Sequence, residues 1–327
     1  MSALALVAPD SFKGTFGAAE VAGAIAQGLR AGGLEAVELP AADGGEGTLE
    51  VLVGALGGEL REVSVTDPLG RAVEASFGLL ADGERAVVEC ARASGLGLVA
   101  SGERDAFAAT TRGTGELIAA AAEAGARRVI VTVGGSATTD GGAGAVAALD
   151  EAGVEPRLEV WCDVRTAWED AAPLFGPQKG ADSETVTRLA RRMSRLAKRA
   201  PKDPRGVPLT GAAGGLAGGL WAFRGAQLLP GAPAVLNAIG FDERMRQAAF
   251  VVTGEGRLDR QTFQGKAVFE VATRARQSGV ACHAIVGGST LEPFEERILD
   301  LQTVTEASTL EELEAAGGAI ARRWAEG

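Results

Sequence analysis

Acidic residues stand directly after strand-like runs at five places in this chain. The segments are "DSFKG" (10–14), "DGGEG" (43–47), "GGSATTDGG" (134–142), "CDV" (162–164) and "GEGRLD" (254–259). They put Asp43, Glu46, Asp140, Asp163, Glu255 and Asp259 at strand ends, beside the hydroxyls Ser11 and Ser136, the bare backbone at Gly135 and the cations Lys13 and Arg257. "FGPQKGA" (175–181) adds Gln178 and Lys179, and "GAAGGLAGG" (211–219) adds more glycine. Glycine lets the main chain come close to a ligand and turn its N–H groups toward an anion. Carboxylates next to such amides suit Mg²⁺, which prefers oxygen ligands and often bridges phosphates. Amides and cations for phosphate, a metal, and an acceptor for a hydroxyl proton are the parts phosphoryl transfer needs. On this reading the 134–142 loop holds phosphate oxygens, and Asp140 faces the metal or the nucleophile.

Other chemistries lack their parts. No G-x-x-x-x-G-K-[ST] occurs, since "QGKA" (264–267) lacks the earlier glycine and the hydroxyl. No G-x-G-x-x-G occurs either, which counts against a nicotinamide-dependent dehydrogenase. The single histidine, His283, lies in the apolar run "ACHAIVGG", as a core residue would, and there is no tyrosine. Acid–base work therefore falls to carboxylates or lysines. The net charge of −11 disfavours a nucleic-acid or anionic-membrane partner, both of which need a basic footprint. No apolar run approaches the roughly 20 residues of a membrane span, and the first residues show no basic leader. Cys90, Cys162 and Cys282 are widely spaced in apolar surroundings, as expected of buried thiols in a cytoplasmic protein.

The elements that must position these loops alternate. "ALALVAP" reads as a strand and "GAAEVAGAIAQGLRAG" as a helix with Val21, Ile25 and Leu29 on one stripe, capped at Gly17 with Glu20 three residues on. "AVELPAA" and "TLEVLVGALGG" repeat the pair. "VEASFGLL" and "RAVVECA", joined by "ADGE", read as adjacent strands of antiparallel character. "DSETVTRLARRMSRLAKRA" is an amphipathic helix started by Asp182 or Ser183. The βα rhythm returns at "AFVVTGEG". The fold class is therefore α/β. It is divided into a Rossmann-like parallel-sheet domain built from both chain ends (1–66 plus 247–327) and an inserted mixed α/β domain (67–246).

Along these loops the sequence resembles the bacterial glycerate kinase family, of the type that phosphorylates D-glycerate with ATP. The resemblance runs through "APDSFKGT", "ADGGEGT", "DPLGR", "ECARASGLGLV", "ATTRGTGELI", "GGSATTDGG", "CDV", "FGPQKGA", "GAAGGLAGG" and "VVTGEGRLDRQTFQGK". It implies two α/β domains with the active site in the cleft between them, ATP and Mg²⁺ as cofactors, D-glycerate as substrate and 2-phosphoglycerate as product. It also implies a cytoplasmic enzyme, and a homodimer is the expected assembly. Under it, Asp140, Asp163 and Lys13 are the catalytic candidates, with Asp140 and Asp163 also the metal candidates. Ser11, Asp43, Glu46, Gly135, Ser136, Gln178, Lys179, Glu255, Arg257 and Asp259 are candidates for substrate or phosphate binding. Two departures bear on the pocket: Thr139 stands where "SATNDGG" is commoner, and "RTAWEDAAPL" follows "CDV" in place of the family's "NPLCG". A 3-phosphoglycerate product, a related hydroxy acid, or a non-catalytic sugar-acid sensor are the readings left open.

Overall fold

The structure is a computed structural model that describes residues 3–326. Its strands are β1 (Leu4–Val7), β2 (Glu35–Glu38), β3 (Gly58–Thr66), β4 (Ala72–Leu80), β5 (Arg85–Glu89), β6 (Arg128–Thr132), β7 (Arg157–Cys162), β8 (Gln227–Pro230), β9 (Phe250–Thr253), β10 (Ala281–Val286) and β11 (Val304–Glu306). They form two sheets, and the chain divides into two compact units, Met1–Asp43 with Ala232–Gly327, and Gly44–Gly231.

The first unit carries a parallel sheet of order β11-β10-β9-β1-β2, with Leu6 in register with Val37 on one side and Val251 on the other. Short apolar strands such as "LALV" and "FVVT" are what a sheet covered on both faces requires. One face is covered by the helices Ala18–Ala31 and Leu310–Glu326, whose Val21, Ile25, Leu29, Leu313 and Ile320 bury against Ala5, Val7, Phe250 and Val252. Each such side chain stabilises the unit by about 1.5–3 kcal/mol relative to exposure. The two helices touch backbone to backbone at Gly28, where a Cβ would fall 1.9 Å from the carbonyl oxygen of Glu314. On the other face, Leu258, Val268, Val286 and Leu299 form a second layer. Gly17 starts the first helix as the sequence predicts, with its N–H donated to Glu20 at 2.8 Å.

The second unit carries a mixed sheet of order β3-β4-β5-β6-β7-β8, antiparallel from β3 to β5 and parallel from β5 to β8. Its core joins Val88, Val129, Val131 and Val160 to Leu117, Ile118, Leu149 and Leu216. Asp182, rather than Ser183, caps the helix Ser183–Ala197 by accepting from Thr185 N at 2.8 Å.

The compact units change at 43/44 and 231/232, whereas the sequence patterns set the breaks at 66/67 and 246/247. The physical reason at the first break is β3, which pairs along its whole length with β4 and so belongs to the second sheet. At the second, Arg274 of the first unit donates to Asn237 and to the carbonyl of Pro233, tying that segment to the parallel sheet.

Candidate active site

In the first unit the chain order reverses at the β1/β9 border, because β2 lies to one side of β1 and β10 and β11 lie beyond β9. Ligands of open α/β sheets bind at such a switch point, beyond the carboxyl ends of the strands. A cavity of about 320 Å³ occurs there, lined by Asp10, Ser11, Phe12, Lys13, Thr15, Asp43, Glu255, Gly256, Arg257, Lys266, Gly287 and Ser308. Three of its carboxylates are buried: Asp10, Asp43 and Glu255 are 5%, 3% and 6% exposed. Asp10 is fixed by its backbone, which donates to Gly254 O at 2.8 Å, and its Oδ1 accepts Ser11 N–H at 2.6 Å. Burial and then the neighbouring Asp43 push its carboxyl well above the usual range. Lys13 Nζ lies 3.8 Å from Asp43 Oδ2. Glu255 accepts from Thr262 Oγ1 at 2.6 Å and from Lys266 Nζ at 3.2 Å, yet burial still raises its carboxyl.

Of the sequence candidates, Ser11, Lys13, Asp43, Glu255 and Arg257 thus share one hollow. Asp259 does not line it. Its Oδ1 accepts Gln261 N–H at 2.8 Å in the turn that leads to Thr262. Asp10 and Lys266 line the cavity without having been singled out. Asp10 was legible as the first residue of "DSFKG". Lys266 was visible as part of a failed nucleotide motif and as the last residue of "VVTGEGRLDRQTFQGK"; it is the N-cap of the helix Ala267–Gln277.

The second unit gathers another set at the carboxyl ends of its parallel strands. Lys179, 2% exposed, donates to Ser136 Oγ at 2.9 Å and to Thr138 O at 2.6 Å. Burial pushes its ammonium down to about 8, against the charges of Cys90, Asp140 and Asp163. Asp163 Oδ2 lies against Gly134, and the Glu46 carboxylate against Gly135. Gln178 is exposed, and its carbonyl accepts from Arg104 Nη1 at 3.3 Å. Asp140 Oδ2 accepts from Thr111 N and Oγ1, each at 2.9 Å, and from Gly144 N at 3.1 Å, while Oδ1 accepts from Gly142 N at 3.0 Å. That shell ties the glycine loop to the start of the helix Arg112–Glu123. The "GAAGGLAGG" segment supports the same loop: a Cβ at Gly214, whose φ is +62°, would fall 1.9 Å from Thr138 O. Cys90 lies beneath, its thiol donated to Gly134 O at 3.3 Å and raised by burial, so it is poorly suited to nucleophilic work.

Among the described residues no group of three or more His, Cys, Asp and Glu side chains could hold a metal ion. Mg²⁺ commonly keeps several waters and uses only one or two carboxylates besides substrate phosphates. The half-buried Asp163, and Asp140 Oδ1 with its one amide donor, fit that lesser demand. His283 is a packed side chain, edge-on to Phe250 and hydrogen-bonded through Nδ1 to Thr303 Oγ1 at 2.9 Å. Among the described residues no helix is long and apolar enough to cross a membrane.

A doubly wound sheet with a charged hollow at its switch point, and a mixed sheet with a lysine-pinned glycine loop, define a two-sheet α/β protein. Comparison with known proteins narrows this class. The profile of the glycerate kinase family matches residues 5–155 and 150–321. The chain is similar to a glycerate 2-kinase of Escherichia coli (strain K12), 40% identical over 324 residues, covering 87% of this chain and 85% of that one. It is 41% identical over 324 residues to a glycerate kinase of Bacillus subtilis (strain 168), covering 86% and 84%. A crystal structure from Salmonella typhimurium LT2, named as a candidate glycerate kinase 2, superposes with a TM-score of 0.86 at 35% identity, covering 100% of this chain and 99% of that chain. The chain belongs to the glycerate kinase family, and it is an enzyme of the kinase class.

Proposed function

We propose that this enzyme transfers the γ-phosphoryl group of ATP to the 2-hydroxyl of D-glycerate in the cytoplasm. The observation that carries the reading is the cavity of the parallel-sheet unit, where buried carboxylates stand with two lysines and an arginine. The name of the Escherichia coli relative supports the 2-position.

In this mechanism Arg257 and Lys13 hold the glycerate carboxylate. Asp43 accepts the proton of the 2-hydroxyl, and the freed electron pair forms the new O–P bond as the bridging P–O bond breaks toward ADP. Glu255, pinned by Thr262, orients Lys266. Ser136 and Lys179, with the 134–142 backbone, hold the phosphate oxygens, and Asp140 keeps that loop in shape. Asp163 and Asp140 Oδ1 would hold Mg²⁺ carried on the nucleotide, which would supply positive charge to the phosphate oxygens. Electrostatic positioning of this kind is most of what phosphoryl transfer asks of a protein.

The ends of the reaction separate kinetically. A charge-assisted hydrogen bond is worth about 1.5–3 kcal/mol. Arg257→Met should therefore raise KM for glycerate about tenfold or more, with KM for ATP little changed. Wild-type KM for glycerate in Arg257→Met would remove Arg257 from the substrate site.

A further inference from the structure

Of the strands that end the two sheets, β2, β8 and β11 are three or four residues long, whereas β3 is nine. A short edge is one way a protein keeps its sheets from pairing with other chains, and β3 is not blunted in this way. It pairs with β4 along one side only. Asp67 N donates to Arg71 O at 2.7 Å and Ala81 N to Gly57 O at 3.1 Å, so the odd-numbered residues turn their peptide groups toward β4. Residues 58, 60, 62 and 64 turn theirs outward, and among the described residues no backbone hydrogen bond from another element meets them. Thr66 is different: its outward N–H donates to Glu116 Oε2 at 2.7 Å. The free edge therefore runs over 58–64. We infer that a second copy of this chain docks on it, antiparallel and centred on Leu60, with Leu60 opposite Leu60 and each Glu59 opposite Arg61 of the other copy.

Charge selects this register. A sheet continued across a two-fold axis keeps every side chain on its own face, so one residue stands opposite its own copy. Opposite charges facing each other across a strand pair stabilise it, and like charges destabilise it. A centre at Glu59, Arg61 or Glu62 sets a charge against itself. A centre at Glu62, Val63 or Ser64 also needs the outward N–H of Thr66, which Glu116 holds. The Leu60 centre avoids both faults. It spans Gly58–Glu62 and sets Glu59 against Arg61 twice. Within one chain Arg61 Nη2 already lies 2.7 Å from Glu59 Oε1, so the two side chains share a face and the four groups of the pair alternate in sign. All are open to a partner: Leu60 is 49% exposed, and the Glu59 and Arg61 side chains are 63% and 44% exposed. The pairing joins two six-stranded sheets into one. A contact this small makes a weak dimer that forms as concentration rises. The inference stands apart from the reaction proposed above.

The test is sedimentation equilibrium of the full-length chain, with circular dichroism to check that each surface variant keeps the fold. The wild-type mass should rise from 33.2 kDa toward twice that value as concentration increases. Glu59→Arg and Arg61→Glu each set like charges opposite one another in both cross-strand pairs, and each should weaken association about tenfold or more. The double variant Glu59→Arg/Arg61→Glu should restore association, because the pairs return with their signs exchanged. Cysteine reads the register. Residues opposite each other in a hydrogen-bonded antiparallel pair have Cα atoms about 5.5 Å apart, within reach of a disulfide. Under mild oxidation Leu60→Cys should give a covalent dimer on a non-reducing gel and Glu62→Cys should not, the three native cysteines being buried. A wild type that stays at 33.2 kDa up to its solubility limit overturns the inference. So does a dimer indifferent to both charge reversals, a double variant no better than either single one, or cross-linking through Glu62→Cys and not through Leu60→Cys.

Discussion

Lys179 and Asp43 carry the sharpest consequences at the scale of single residues. Lys179 is a buried cation whose ammonium burial has pushed down to about 8. A lysine with a depressed value is charged below it and loses its charge as pH rises through it. KM for ATP should accordingly climb between about pH 8 and pH 9, and Lys179→Met should show a raised, pH-flat KM. An unchanged KM in Lys179→Met would leave the lysine a purely structural pin. Asp43→Asn should cost about 10²–10⁴ in kcat, the usual range for a lost general base, read by coupled ADP release. At this scale the sequence was readable where a residue type is rare in its setting, as with lysines and acids inside glycine loops. It could not show how an acid spends its oxygens. Asp140 looks like a ligand-facing carboxylate in "GGSATTDGG", yet five donors on four residues occupy it. Asp10 was readable as the first residue of "DSFKG" but was not singled out, since nothing local says that two acids from distant segments will meet it.

Among the elements, two helical glycines give opposite expectations. Gly28 sits where a Cβ would strike the Glu314 carbonyl, so Gly28→Ala should destabilise by about 1–3 kcal/mol despite the better helix propensity of alanine. Gly54, exposed in the helix Thr48–Leu56, has nothing within 4 Å of its Cβ position, so Gly54→Ala should stabilise by about 0.5–1 kcal/mol. Urea unfolding of the pair decides both signs. The start of the same helix holds a titration. Glu89 Oε2 accepts from Gly47 N at 3.0 Å and Leu49 N at 3.3 Å, and burial, then Glu50, raises its carboxyl to about 7. The native state binds this proton more tightly than the unfolded chain. Its contribution is therefore full below the ordinary glutamate value of about 4.3 and is lost as pH rises through about 7. Glu89→Gln should gain on the wild type by about 3 kcal/mol between pH 5 and pH 8, and equal pH dependence of the two would refute the coupling. Elements with a strong period were legible, among them the first helix and the helix Ser183–Ala197. β3 was not, because "GELREVSVT" is exposed along nearly all its length and only Val65 is buried. β8 was not, because four residues ending in proline carry no period.

At the scale of the whole molecule, alternation of strands and helices announced the α/β class, and the return of the rhythm near residue 250 announced that both chain ends share a sheet. The boundaries were misplaced because sheet membership is decided by pairing partners, and β3 finds its partner only after the next turn. With a net charge of −11, long-range attraction of an anionic substrate is not available, so local groups must hold it. That puts the functional claim on one reaction and one position of the substrate. The direct measurement is a proton-coupled phosphorus NMR spectrum of the mixture formed from wild-type enzyme, MgATP and D-glycerate. The account requires a new phosphomonoester split into a doublet by the single proton of C2, appearing in step with ADP. A triplet from a phosphorylated C3 carbon, or ADP without any new ester, would contradict it.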